Sequence, residues 1–350
     1  MAKRKTQARI GFVGAGAHAL SALYPSLRSA PSARLAAVCD LDAGRAERAA
    51  RSYGAERWYT DVEQMLAAEQ LDGVCICGVP QMHVEVGRQV LRRGLPIFVE
   101  KPSALTARDA RRLAEAAQRA GAWGMVAFMK RYAAGYVLAK QLMDAPSFGG
   151  LQQLHLRFTQ GEYPDLWGLE APYAFLVGQV VHIFDLARFL GGDVAEVHAR
   201  LRMVTKHRFA YAISIEFVSG AVGTLELNTL DHTEAWRDIT EYADASGVGE
   251  SVVVKDMLQV THCAAQDWRP QPQTWGAATR AWAPIWTGVA QGLTLTGYVG
   301  ELEQFAQSLL SGVPAAASLW DGVEALRLSE AVWKSAQTGR AVALAQRAGR

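Results

Sequence analysis

The segment Gly14-Ala15-Gly16-Ala17-His18-Ala19 has the spacing G-x-G-x-x-A, follows the apolar run Ile10 to Val13, and opens a stretch of helical periodicity. In that setting the residue types have a specific use. The first glycine permits a tight turn, the second lets backbone amides approach a pyrophosphate, and the small third residue allows close helix-strand packing. Unpaired amides at Ala17 and His18, where the helix begins, then meet phosphate charge. Asp40 stands 26 residues after Gly14, at the end of the second strand-like run, where an acid hydrogen-bonds the adenosine ribose hydroxyls of a dinucleotide. Its alternative use is to cap the helix beginning near Ala43, a task Asp42 suits better. A carboxylate there repels a 2′-phosphate and so favours NAD over NADP, a preference that Arg45 and Arg48 soften.

Glu100-Lys101-Pro102 follows the fifth strand, at the carboxyl edge where α/β sheets bind ligands. The tripeptide alone reads as a surface turn. Placed at that edge, a lysine can point at a nicotinamide and a substrate and hold an oxygen by charge-assisted hydrogen bonds.

These residues need a scaffold, and the first 125 or so residues supply one. Short apolar runs at Arg9–Val13, Leu35–Cys39, Val74–Cys77, Pro96–Val99 and Trp123–Phe128 alternate with helical stretches over 17–28, 43–53, 82–93 and 106–120. Central runs that are apolar on both faces belong to parallel strands covered on both sides. The fold expected is α/β: an N-terminal Rossmann doubly wound parallel sheet over 1–128, then a C-terminal α+β domain over 129–350 whose last segment packs back on the first. In that second part a helix is expected over 179–190 and strands over 154–159, 197–204, 210–217, 221–228, 239–243 and 251–254. Ser219-Gly220 makes a hairpin turn, and local connections of this kind predict a mostly antiparallel open sheet. Helical spacing returns over 297–310 and 321–337.

Composition narrows the function. The 350 residues carry 36 Lys plus Arg against 34 Asp plus Glu, a formal charge of +2 spread along the chain, which speaks against a nucleic-acid partner. The basic start, Lys3 to Lys5, leads into a strand and glycines rather than the apolar stretch of a secretory signal. No segment is expected to reach the roughly 18 apolar residues of a membrane helix, and a cytoplasmic location follows. Cys39, Cys75 and Cys77 lie in buried-looking runs, Cys263 stands alone, and no metal-site spacing is present.

The sequence resembles the glucose-fructose oxidoreductase, inositol dehydrogenase and MocA family. The resemblance rests on the glycine loop, Pro80 with His83, Val99-Glu100-Lys101-Pro102 and Lys130-Arg131-Tyr132. It continues in His182-x-x-Asp185-Leu-Ala-Arg-Phe-Leu-Gly-Gly, Tyr298-x-x-Glu301-Leu-Glu-x-Phe305, and Ser318-Leu-Trp-Asp321-Gly322 through Ser335 to Gly339. It implies hydride transfer between a nicotinamide and a hydroxyl- or carbonyl-bearing carbon of a sugar, polyol or inositol-like substrate. By that resemblance Lys101 is the active-site lysine and His182 the general acid/base, a role suited to imidazole because its ordinary pKa lies near working pH. A core histidine on an apolar helix is the alternative. Asp185, one turn on, orients the imidazole or pairs with Arg188. Val79, Pro80, His83, Glu100 and Arg131 join the expected cofactor contacts, and Tyr163 and Trp167 form a sugar-facing wall.

One departure matters. Many family members carry an aspartate four residues before the histidine, and here that position is Gly178. Tyr163, Asp165 or Tyr173 are the available stand-ins. Two further readings stay open: an NAD-dependent glycosidase working by transient oxidation, and a non-catalytic dinucleotide sensor. A homodimer or homotetramer is expected, with the open sheet face as the contact. Trp268, Trp275, Trp282 and Trp286 read as a hydrophobic cap or subunit contact.

Overall fold

A computed structural model describes residues 5–231, 239–264, 278–285 and 289–344. The chain forms two compact units, one of residues 1–132 and 287–326, the other of residues 133–286 and 327–350.

The first unit is built on a six-stranded parallel sheet of β1 (Ala8–Val13), β2 (Ala33–Cys39), β3 (Arg57–Tyr59), β4 (Gly73–Ile76), β5 (Ile97–Val99) and β6 (Gly124–Val126). The spatial order is β3-β2-β1-β4-β5-β6. The order reverses between β1 and β4, and the carboxyl ends of those strands form the crevice in which doubly wound sheets bind ligands. The connecting helices start where short polar side chains can satisfy their free amides. Asp42 accepts from Arg45, Asp61 from Gln64 and Thr106 from Asp109, and Pro80 opens the helix Pro80–Arg92. The helix Tyr298–Ser311 lies close on the sheet at Gly73, where a Cβ would meet Leu309 at 2.9 Å and the Phe305 ring at 3.0 Å. Phe305 in turn packs on Phe98 and Trp123. The sequence patterns did not reveal β3 or the helix Val62–Ala68: both are short, and β3 is largely exposed.

The second unit is a nine-stranded sheet of β7 (Gln153–Thr159), β8 (Val194–Met203), β9 (Phe209–Phe217), β10 (Val222–Asn228), β11 (Thr240–Ser246), β12 (Ser251–Lys255), β13 (Gln259–Ala264), β14 (Ala278–Trp282) and β15 (Val342–Ala343). Its order is β14-β13-β12-β11-β7-β10-β9-β8-β15. The Ser219-Gly220 hairpin joins antiparallel β9 and β10 as expected. Connections are not all local, however: β7 inserts between β10 and β11, and runs parallel to β10.

One face of this sheet carries alternating apolar residues, such as Phe209, Tyr211, Ile213 and Ile215 on β9, all buried. Against it lies helical chain that runs from Ala171 to Gly191, so the helix begins eight residues before the expected start at 179. These 21 residues are also apolar and long enough to cross a bilayer (mean hydropathy 1.4), which corrects the expectation that no segment would be. Some 89% of the most apolar window is buried inside the protein, so its apolarity serves a core. Phe175 anchors it among Phe158, Tyr163 and Phe209 at centroid distances of 6.2, 5.3 and 5.6 Å. Burying each such ring stabilises the unit by about 1.5–3 kcal/mol. Of the four tryptophans above, Trp282 sits on β14, half exposed, and the other three lie outside the described residues.

Candidate active site

The glycine loop connects β1 to helical turns over 17–29. Gly14 has φ +103°, and a Cβ there would lie 1.9 Å from the Cys77 carbonyl oxygen, so only glycine fits. At Gly16 a Cβ would meet nothing within 4 Å, which leaves open space over the loop's backbone. Asp40 reaches back to this loop: its Oδ2 accepts from the Ala15 amide at 2.7 Å, and its Oδ1 accepts from the Asp42 amide at 2.9 Å. Capping of the next helix falls to Asp42, whose Oδ1 accepts from the Arg45 amide. Arg45 Nε also stands 3.5 Å from Asp40 Oδ1.

The Glu100-Lys101-Pro102 segment is held from two sides. His83 is fully buried; the Gly78 amide donates to its Nε2 at 3.0 Å, so Nδ1 carries the proton and donates to the Pro102 carbonyl at 2.9 Å. Burial pushes the His83 pKa down, which keeps the ring neutral and this tautomer fixed. Both ring nitrogens are engaged by backbone, so His83 braces the lysine-bearing turn. On the other side His18 Nε2 donates to Glu100 Oε1 at 3.1 Å, and the Lys101 amide donates to Glu100 Oε2 at 2.8 Å. Burial pushes the Glu100 carboxyl up, but His18 and Lys101 outweigh it and hold the group below the usual carboxylate range. The Lys101–Pro102 peptide is cis.

Lys101 is pushed below the ordinary lysine range by burial, assisted by Lys130 and opposed by Glu100, Cys77 and Glu301. An ammonium tuned in this way gives up and regains a proton more readily than a surface lysine. Val79 caps the start of the helix Pro80–Arg92 and is half exposed. Arg131 ties down its own unit: Nη2 lies 3.3 Å from Asp321 Oδ1, and Nη1 donates to the Ala316 carbonyl at 3.4 Å.

Sequence reasoning passed over Glu301 as a functional group. It is 0% exposed, and among the described residues neither carboxyl oxygen has a hydrogen-bond partner. Burial, reinforced by the negative Glu100, raises its pKa well above the usual carboxylate value despite Lys101. The visible signal was an acid set among the buried positions Leu302, Phe305 and Ala306 of its helix. Such a group titrates higher in the folded than in the unfolded chain, so burial carries no ionisation penalty at low pH and destabilises progressively as pH rises between the two pKa values. Glu301→Gln is therefore expected to be more stable than the native chain at pH 8. The gap should close towards pH 4 with a slope of up to about 1.4 kcal/mol per pH unit, read by urea unfolding without added cofactor. A gap independent of pH would contradict the protonated state.

In the second unit His182 lies in the first turn of the helix Val181–Gly191, directly after π-helical turns over Leu176–Val180, a distortion frequent at functional sites. His182 is nearly buried, and Asp185 follows one turn on. Arg188 directs its guanidinium to Asp193 Oδ1 at 2.8 Å. Tyr163 is fully buried with its ring edge-on to Phe175, and Trp167 has the left-handed φ of +55°. Asp165 accepts from the Ala171 amide and pairs with Lys206, and Tyr173 stacks on Trp333. Lys101 belongs to the first unit, and His182, Asp185, Tyr163 and Trp167 to the second.

A doubly wound sheet with this glycine loop, its tethered acid and a braced lysine at the strand edge defines a dinucleotide-dependent oxidoreductase. Comparison with known proteins gives the family. Residues 8–128 match the oxidoreductase family model with an NAD-binding Rossmann fold, and residues 136–242 match the GFO/IDH/MocA C-terminal domain model. The chain belongs to the GFO/IDH/MocA oxidoreductases and is an NAD-binding enzyme. It is 29% identical over 330 residues to D-apiose dehydrogenase of Paraburkholderia graminis, covering 91% of this chain and 84% of the relative. It is 26% identical to inositol 2-dehydrogenase of Salmonella typhimurium, covering 95% of each. A dehydrogenase structure from Chromobacterium violaceum superposes with a TM-score of 0.86 at 25% identity, over 95% of this chain and 96% of that one.

Proposed function

We propose that the protein oxidises a secondary hydroxyl of a sugar, polyol or inositol-like substrate with NAD+, and runs the reverse reduction with NADH. The observation that carries this reading is the Glu100-Lys101-Pro102 turn. Two histidines fix it at the carboxyl end of β5, and its lysine is shifted below the ordinary range. The open backbone at Gly16 and the amides of Ala17 and His18 suit a pyrophosphate, and Asp40 suits the ribose hydroxyls while disfavouring a 2′-phosphate, so NAD is preferred to NADP. The bound nicotinamide supplies the hydride acceptor. Lys101 holds the substrate oxygen and stabilises charge developing on it. His182 takes the hydroxyl proton, Asp185 orients the imidazole, and Trp167 offers a face for the sugar ring. D-apiose and inositols, the substrates named in the relatives, define the first panel to try.

The test is NAD+ and NADP+ reduction, followed at 340 nm, over D-apiose, inositol isomers and other polyols, for the native chain, Lys101→Ala and His182→Ala. Turnover with NAD+ that is lost in both variants while NAD+ binding persists supports the reading. Native protein that binds NAD+ and oxidises nothing in the panel counts against it. We further infer a homo-oligomer formed through the solvent-facing side of the nine-stranded sheet; a mass near 38.0 kDa by light scattering at micromolar concentration would overturn this.

A further inference from the structure

Gly178 lies within the π-helical turns Leu176–Val180. A Cβ built there would lie 2.4 Å from the Tyr163 hydroxyl oxygen, and 3.0 and 3.2 Å from two atoms of the Trp167 ring. Any side chain at 178 would therefore displace that hydroxyl. Gly178 precedes His182 by four residues, about one helical turn, which places the two close to the same face. The Tyr163 hydroxyl thus occupies the volume into which a side chain one turn before His182 would project. Two features show that it is held there. The Tyr163 backbone is bracketed by His207, whose carbonyl accepts from the Tyr163 amide at 3.1 Å and whose Nδ1 lies 3.0 Å from the Tyr163 carbonyl. Trp167, which backs the same spot, keeps a left-handed conformation that is costly for a tryptophan and concentrated at functional sites. Asp165 accepts from the Ala171 amide and pairs with Lys206, and Tyr173 stacks on Trp333.

We propose that the Tyr163 hydroxyl is the substrate-contacting group beside His182, hydrogen-bonding the substrate hydroxyl adjacent to the one oxidised, and that Gly178 is the complement that makes room for it. The proposal rests on the dehydrogenase reading above. Burial pushes the phenol pKa upward, so the contact is with a neutral hydroxyl, able to donate as well as accept, rather than with a carboxylate. This favours uncharged polyols whose reacting carbon has a hydroxyl-bearing neighbour. Gly178 and Tyr163 then form one unit, in which each residue is tolerable only with the other.

The experiment is a reciprocal exchange, measured with NAD+ on the panel compound that the native chain turns over best. Tyr163→Phe removes one oxygen and is expected to lose roughly 3- to 10-fold in kcat/KM for that substrate, with KM for NAD+ and the melting temperature unchanged. Gly178→Asp alone drives a carboxylate into the hydroxyl and is expected to lose both activity and melting temperature. Gly178→Asp in the Tyr163→Phe background restores a polar group to the vacated volume, and should recover melting temperature and activity to above Tyr163→Phe alone. A purely structural tyrosine would not give that recovery of activity. The proposal is overturned by Tyr163→Phe with native kcat/KM, or by a double variant no more active than Tyr163→Phe alone. If the native chain oxidises no panel compound, the dehydrogenase reading itself falls and takes this assignment with it.

Discussion

His182→Ala is expected to reduce kcat for NAD+-dependent oxidation by about 10²- to 10⁴-fold, the usual contribution of a positioned acid/base group, while NAD+ binding is retained. The imidazole sits in the first turn of a helix, straight after π-helical turns. It is largely buried. A histidine kept only for packing gives the opposite signature, because removing it would lower the melting temperature and leave kcat nearly intact. Steady-state kinetics, thermal melts and NAD+ titration on one preparation separate the two. A His182→Ala protein with native kcat would sink the assignment.

The second large effect falls on the glycine loop, and there the two glycines should behave differently. Gly14→Ala places a Cβ 1.9 Å from the Cys77 carbonyl oxygen at a φ of +103°. The left-handed backbone alone costs about 1–2 kcal/mol. The overlap with main chain, which cannot swing aside, raises the total to several kcal/mol, in the range reserved for strain at special backbone positions. A loss of this size corresponds to a fall in melting temperature of roughly 10 °C for a unit of this length. Gly16→Ala meets no protein atom within 4 Å and should fold normally. Its methyl group would instead stand in the open space proposed for the cofactor, and is expected to weaken NAD+ binding at unchanged melting temperature. Equal melting temperatures for the two variants would refute the distinction.

What the sequence disclosed follows from how local each signal is. The glycine loop and the Glu100-Lys101-Pro102 turn are short strings visible from their own residue types and the strand before each, whereas the contacts that hold them, Asp40 to Ala15 and His18 to Glu100, join residues 25 and 82 positions apart. The start of the helical run at Ala171 was hidden by Pro172, which reads as a breaker although proline in the first turn is a common helix opening. The placement of β7 was out of reach, because its partners are β10, some 70 residues later, and β11, nearly 90 later, and pattern along the chain does not encode such pairings. The state of Glu301 was hidden for another reason: an acid looks the same in sequence whether water or protein surrounds it. The relation of Tyr163 to Gly178 needed a distance in space, without which the glycine reads as a loss.

The discontinuity of the two units bears on how the protein can be made. The chain passes from one unit to the other three times, after residues 132, 286 and 326. Phe305 and Leu309, which close over the first sheet at Gly73, leave the ribosome long after the strands they cover. The 232 residues from Gly73 to Phe305 (305 minus 73) take roughly 12–46 s to synthesise at about 5–20 residues per second. For that interval the patch of the first sheet around Gly73 lacks the cover of this helix, while most strands of the second sheet emerge. No single cut in the chain separates the two units intact.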